Sequence, residues 1–502
     1  MFILYILGLA LTFAISYIYL SDSRAKKHWA QYGIPYYRGF MNLGFAWEYF
    51  IGNLPMFKVL DKIYKRYPNV PVIATKSFLN PTLIITDTTN IQQVLAGDFQ
   101  TFSHRGLELN ADVDLLSDSI IFMNGARWKL TRQKFTPLFT SAKLRNMYYI
   151  MNKSAQDFVE LLKKEYHKET THDLLTTFCS AALSASVFGI TTKSIMDSPF
   201  LDMARKTSQP TFISDMKFAI ANISNKLFNV LKIKLFSEHE DFFIGAMKNV
   251  LQTRRGDKIR KHDFADLCID VQKNGIMKDT QTGLELEPTD ELMSAQAFFF
   301  FTAGIDPSAN SMFFMLFELC RNPDVRERIH DEIDKLFENN NGEVSHEDIS
   351  SLEYLDRVLD ESMRLHSPIG TLTRMCTKDS TLSVGNVKVP NKMLIQIPTY
   401  SIHYDSRYYP NPQKFDPDRF TDEEKNKRPG YTFMPFGEGN RMCLGIRFAK
   451  LQIKTGLVHL LRHFTVESDD IHKEVEYIKS PFLCKPKNVD YRLLYLPINL
   501  NK

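Results

Sequence analysis

The chain has 502 residues, of which 44% are hydrophobic, 12% aromatic and 24% charged, and its 22 glycines and 22 prolines are ordinary for that length. Collagen-like, low-complexity and disordered chains are excluded by this balance, and the chain is long enough to bury a large core. Its 62 basic and 58 acidic residues leave a formal net charge of +4, which gives no electrostatic footprint for nucleic acid.

At the N-terminus, residues 2–20 carry no charge and are rich in Ile, Leu, Phe and Tyr, and Arg24, Lys26 and Lys27 follow at once. At about 1.5 Å per residue this stretch just crosses a bilayer core of about 30 Å. A cleaved signal peptide carries its basic residues before the apolar run, whereas here they come after it. The order predicts an uncleaved anchor over residues 1–21, a linker with a Gly-x-Pro hinge (Gly33-Ile34-Pro35) over 22–36, and a globular body over 37–502 on the cytosolic side.

Beyond the hinge, β-branched clusters predict short strands at 70–73 and 82–85. The helical period dominates from about 120 to 370, with breaks at Pro199, at Pro210 and over 339–342. Residues 371–400 turn strand-like again, with hairpin signals at Gly385-Asn386 and Pro390-Asn391. The fold class is mostly α, with small β-sheets assembled from distant segments. The stretch 212–236 alternates apolar residues with Lys217, Lys226, Lys232 and Lys234, a pattern that suits either a helix pair covering the core or a second, peripheral membrane contact.

The six cysteines, at 179, 268, 320, 376, 443 and 484, form no C-x-x-C pair, so neither a zinc module nor a disulfide framework is indicated. Cys443 stands apart. It lies in Pro435-Phe436-Gly437-Glu438-Gly439-Asn440-Arg441-Met442-Cys443-Leu444-Gly445-Ile446, which opens onto a helical pattern over 447–461. A cysteine at a helix start meets unpaired backbone N–H groups and the positive end of the dipole, both of which favour the thiolate, the form that binds iron. Gly437 and Gly439 permit tight turns under a flat ligand, and Gly445 removes a side chain where the helix comes close. Arg441 is placed to meet an anionic group beside the metal.

This segment fits F-x-x-G-x-R-x-C-x-G at every fixed position and resembles the haem-binding loop of the cytochrome P450 superfamily. Three further motifs of that family occur in order: Trp128 with Arg132 as W-x-x-x-R, Glu361 with Arg364 as E-x-x-R, and 415–420 as F-x-P-x-R-F, which contains Arg419. Residues 99–106, F-Q-T-F-S-H-R-G, resemble a loop of the membrane-bound, xenobiotic-metabolising insect members.

The resemblance implies a cytochrome P450 fold, one large helical catalytic domain behind a membrane anchor, in which the Cys443 thiolate is the axial ligand of haem b. It implies that Phe436, Gly437, Gly445 and Ala303 border the ring. Trp128, Arg132, Arg374 and Arg441 would donate to its two carboxylates, and Glu361, Arg364 and Arg419 would form a buried charge network. A helix over 296–318 is expected on the distal face, carrying Ala303-Gly304-Ile305-Asp306-Pro307-Ser308. There Gly304 admits dioxygen, Asp306 is the acid of the proton path, and Ser308 is the hydroxyl nearest the threonine that Pro307 replaces. The implied activity is a monooxygenase that inserts one oxygen atom from dioxygen into a lipophilic substrate, such as a xenobiotic, plant toxin, insecticide or endogenous lipid or hormone.

The pocket is expected from the zones 105–122, 298–301, 369–372 and Pro481-Phe482. No G-x-G-x-x-G follows a strand, so electrons are expected from NADPH through a separate NADPH–cytochrome P450 reductase, with cytochrome b5 as a second partner. The docking face would hold Lys129, Lys134, Arg441, Arg447 and Lys450, on the cytosolic face of the endoplasmic reticulum membrane. Pro307 keeps an isomerase or dehydratase on the same fold open, and a haem-binding protein without turnover is a third reading.

Overall fold

The mid-chain helical periodicity becomes a set of helices stacked around one long apolar helix. The computed structural model of the chain describes residues 2–165, 170–190, 198–207, 209, 211–258 and 260–496. The helices used below are Phe2–Gln31 (α1), Ala46–Ile51 (α2), Gly125–Phe135 (α3), Thr171–Phe188 (α4), Phe212–Ile223 (α5), Asp290–Arg321 (α6), Glu353–Leu365 (α7) and Ile446–His463 (α8). A four-stranded sheet is made of Val72–Ser77 (β1), Asn80–Ile85 (β2), Leu372–Met375 (β3) and Leu394–Ile397 (β4).

The central helix α6 has 32 residues, about 48 Å at the usual rise. Its start is fixed by Thr289, whose hydroxyl accepts the Leu292 N–H, with Asp290 and Glu291 facing the positive end of the dipole. Pro323 ends it by disfavouring helix in the residue before it. Most of its length is buried, which is why the sequence there is apolar on every face rather than along one stripe. Helix α4 crosses it at Gly304, where an added Cβ would lie 2.8 Å from Leu183 Cδ1, so a larger residue would force the two helices apart. Pro307 does not interrupt the helix: α6 runs through it unbroken.

The sheet order is β1-β2-β4-β3, with β2 parallel to β4 and the other pairs antiparallel. Segments separated by some three hundred residues therefore meet edge to edge, as the strand pattern predicted. The first strand begins two residues later than expected, after Pro71, which has no N–H to give to a ladder. The expected turn at Gly385-Asn386 closes a hairpin between Ser380–Leu382 and Val387–Val389, with both turn residues at positive φ. Of the expected breaks, Pro199 begins a helix, the helix Pro323–Asn339 ends at Asn339, and Pro210 lies outside the described residues.

The N-terminal helix runs past the apolar stretch to Gln31, so most of the expected 22–36 linker is helical. Asp22 is wholly buried and Trp29 nearly so, which docks this part of α1 on the body. Among the residues whose side chains are described, no helix is long and apolar enough to cross a membrane.

Glu361 and Arg364, one turn apart on α7, are both fully buried. Arg364 donates through Nε and Nη2 to the two Glu361 oxygens at 2.7 and 2.8 Å, and through Nη1 to the His403 carbonyl at 2.8 Å. Arg419 Nε approaches Glu361 at 3.4 Å, and the Asp416 N–H donates to the same carboxylate at 2.9 Å. Burial works against the charge on Arg364, but the two-pronged contact with Glu361 more than offsets it, and the guanidinium is held above its ordinary pKa. We expect Arg364→Ala, which strands a buried carboxylate, to cost about 3–5 kcal/mol. In urea denaturation this appears as loss of most of the folding midpoint, with Arg364→Lys recovering only part because it lacks the planar fork.

Candidate active site

The loop before α8 is built on glycines. Gly437 (φ 70°) and Gly439 (φ 73°) are left-handed, and a Cβ on Gly439 would lie 2.0 Å from the Leu95 carbonyl oxygen, so only glycine fits. The Cys443 N–H donates to the Phe436 carbonyl at 2.9 Å, closing the loop just ahead of α8. Gly445, by contrast, is not demanded by the protein's own atoms: a Cβ there would make only ordinary contact with Phe139, at 3.5 Å. The other five cysteines are buried, and Cys443 is exposed. It nevertheless lies so deep that burial pushes its thiol pKa up, against the Gly445 N–H and the charges of Arg132 and Arg105. A thiol that is enclosed and yet accessible faces an interior space. A coordinated metal cation is what turns such a thiol into thiolate.

Beside that space stand four guanidinium groups. Arg441 and Arg374 are each 3% exposed. Arg441 donates to the Met123 carbonyl at 2.8 Å, Arg132 to the Met442 carbonyl at 2.9 Å, Arg374 to its neighbour Thr373 at 2.8 Å, and Arg105 to the Arg441 carbonyl at 3.3 Å. Trp128 of α3 lies under two of them, with Arg441 4.3 Å and Arg132 5.7 Å from its ring centre. Among the described residues, no carboxylate pairs with any of the four. Nε of Arg105, Arg374 and Arg441, and Nη1 of Arg441, are buried without a hydrogen-bond partner.

The electrostatic consequence is large. Burial, together with the charges of Arg105, Arg374 and Arg132, brings Arg441 down to about 8. Burial and Arg105 bring Arg374 to about 9, and burial and Arg132 bring Arg105 to about 10. Depressed values on bases mean that the fold disfavours the charged forms, a cost fully present at pH 7 and relieved by an anion placed among them. Two carboxylates on a flat ligand, in reach of an accessible cysteine, answer the unpartnered donors, so the residues present fit haem.

The sequence-predicted residues of α6 fall on different sides. Ala303 is exposed within an otherwise buried stretch, and Thr302, Gly304 and Pro307 are partly so. Asp306 (7% exposed) and Ser308 (3%) are turned inward, and Asp306 lies close enough to Cys179 of α4 to raise its thiol pKa further. Gly304 serves the packing on Leu183 described above. The four phenylalanines divide as a helix requires: Phe298 and Phe301 pack on Phe243, Phe300 on Phe135, Phe139 and Phe264, while Phe299 joins Phe122 and Phe236 in a triad with ring centres 5.2–5.6 Å apart. Phe482 meets Phe218 of α5 edge to face and is about half exposed.

Two adjustments follow for the charged residues. Arg105, read in the sequence only as the start of a pocket loop, belongs to the arginine cluster. Arg441 is buried, so it cannot serve the expected docking face. Arg447 is exposed there, while Lys129 pairs with Asp279 at 3.4 Å and Lys450 with Asp360 at 2.7 Å.

Comparison with known proteins agrees with this geometry. The family model described as Cytochrome P450 matches residues 40–493. The chain is 31% identical to cytochrome P450 6B6 of Helicoverpa armigera, over 83% of this chain and 85% of that protein. It is 33% identical to probable cytochrome P450 6a13 of Drosophila melanogaster, over 80% and 81%. It is 30% identical to cytochrome P450 6k1 of Blattella germanica, over 82% and 81%. An accessible cysteine, a carboxylate-free arginine cluster and a glycine-built loop thus coincide with a match over nearly the whole chain, and the protein belongs to the cytochrome P450 family of haem-thiolate monooxygenases.

Proposed function

We propose that this monooxygenase oxidises a lipophilic small molecule at the cytosolic face of the endoplasmic reticulum membrane, with electrons drawn from NADPH through a separate reductase and cytochrome b5 as an auxiliary donor. The observation that carries the haem-dependent part is the buried arginine cluster beside Cys443. When bound, the haem supplies the oxidising chemistry that places one atom of dioxygen in a C–H or C=C bond.

The chain's own residues bind, orient and exclude. Cys443 would supply the thiolate, and Arg105, Arg132, Arg374 and Arg441 would hold the two carboxylates. The triad of Phe122, Phe236 and Phe299 offers an aromatic wall that keeps water out and suits an apolar substrate. Pro307 has no N–H to donate, so the Ala303 carbonyl, on the accessible side of α6, is free to accept a hydrogen bond from water. Protons then pass from the Asp306 carboxyl by way of such water; Ser308, turned inward on the unbroken α6, assists only where the helix opens beside Pro307. Family likeness to insect proteins favours plant toxins or insecticides as substrates, by analogy of fold and sequence alone.

Membrane attachment rests on the uncharged stretch 2–20 and on the outer faces of α1 and α5. Tyr5, Leu9, Phe13 and Tyr17, four residues apart on α1, are exposed, as are Phe212 and Ile213 of α5.

Product formation is expected to require both NADPH and reductase; turnover of an oxygenated substrate without either would establish an isomerase or dehydratase instead. Arg374→Met should weaken haem retention about tenfold or more while raising the melting temperature of the haem-free protein, because it removes one uncompensated charge. Equal melting temperatures would show that the repulsion costs nothing. Ser308→Ala should raise hydrogen peroxide released per NADPH consumed; unchanged coupling removes Ser308 from the proton path.

A further inference from the structure

Asp22 lies on α1 just past the apolar run, and its side chain has no exposure. Three groups from outside the helix close on it. The Tyr36 hydroxyl donates to Oδ1 at 2.8 Å, Lys76 Nζ of β1 lies 3.2 Å from the same oxygen, and Arg38 Nε lies 3.3 Å from Oδ2. Burial and the bond to Asp22 push the Tyr36 hydroxyl far above its ordinary pKa, so it stays a donor. A fully buried carboxylate is costly unless paired: Oδ1 takes the hydrogen bond, Oδ2 meets Arg38 by charge alone without a hydrogen bond, and each partner lost raises the cost of keeping α1 docked.

What the cluster joins gives it meaning. Lys76 also donates to the Asn42 carbonyl at 3.4 Å, in a turn where Met41 (φ 47°) and Asn42 (φ 63°) are left-handed and Met41 is 72% exposed. Beyond β1 the chain turns through Phe78 and Leu79, and Phe78 packs with Ala46 of α2 and Ala219 of α5. The Asn80 amide donates to the Asn222 carbonyl, tying the same turn to α5. Each of these interlocked elements leaves a large apolar side chain outside: Met41, Ile51 of α2, Leu79, and Phe212 and Ile213 of α5.

We propose that Asp22 is an orientation clamp, locking α1 to β1 so that the N-terminal helix and the apolar face formed by α2, the β1–β2 turn and α5 meet one lipid bilayer at a fixed tilt. The proposal rests on reading residues 2–20 as membrane-seated. It makes the catalytic body a rigid extension of its anchor rather than a domain swinging on a linker, and so fixes which side of the body faces the lipid from which an apolar substrate arrives.

The test uses the full-length haem-loaded protein carrying a fluorophore on Leu79→Cys, since the native cysteines are buried or face the interior. It is mixed with phosphatidylcholine vesicles that contain brominated lipid as a quencher. The parent protein should float with the vesicles and show quenching. Asp22→Ala should still float, with the same haem content, but lose at least half of the quenching. Protease should cut it between residues 21 and 36 about tenfold faster or more, because cleavage follows the population of the undocked helix. Tyr36→Phe, which removes a single hydroxyl, should fall between the two and decides the matter if Asp22→Ala does not fold. Unchanged quenching and cleavage in variants that float would overturn the clamp. A parent protein that fails to float would overturn the membrane reading and the fixed tilt with it, while the cleavage ratio in solution would still show whether Asp22 docks the helix.

Discussion

Like charges that are drawn together need a counter-charge, and in this protein four guanidinium groups, two of them buried and two half-buried, have none among the described residues. Arg105 comes from a loop, Arg132 from α3, Arg374 from β3 and Arg441 from the loop before α8, and no carboxylate of the described residues answers them. The sheet, α3 and the glycine loop are each placed so that these side chains converge beside Cys443. A fold that accepts such a cost gains from it only when an anion arrives, which is why the cluster is the strongest structural argument for a dicarboxylate prosthetic group.

The remainder of the architecture serves to make that convergence rigid. Glu361, Arg364 and Arg419 fasten α7 to the segment after it, and His403 and Asp416 are drawn into the same network. The sheet joins β2 to β4 across the chain and, through the pairing of Arg374 with Ile395, sets the register that brings Arg374 to the site. Helix α6 can lie close against α4 only because Gly304 has no side chain there. The buried networks are of two kinds: the Glu361 set is internally neutralised and structural, and the arginine set is left open and functional.

Much of this was legible in the sequence, because motif residues act at short, fixed spacings: one helical turn for Glu361 and Arg364, and a single residue between Arg441 and Cys443. Arg105 was not legible, since it sits in an irregular loop and acquires its role from residues on other elements, Arg132, Arg374 and Arg441. The signal that would have found it is an arginine in the 99–106 stretch already singled out for its likeness to the family. The orientation of α6 was partly legible: at about 100° per residue Ala303 and Pro307 share a side from which Ser308 is turned away, and the observed burial follows it. The run of α1 to Gln31 was missed for a plainer reason. Arg24, Lys26 and Lys27 read as the end of a membrane span, although Ala and Lys are good helix formers, and the partners that bury Asp22 lie in another element.

The central claim is that Cys443 is the thiolate ligand of a haem held by the arginine cluster. Its most direct test is the absorption spectrum of the reduced, carbon monoxide-bound protein, recorded for the parent and for Cys443→Ala. The thiolate-type Soret band should be present in the parent and absent in the variant. A parent spectrum with the band of a histidine-ligated haem, or an unaltered band in Cys443→Ala, would contradict the account.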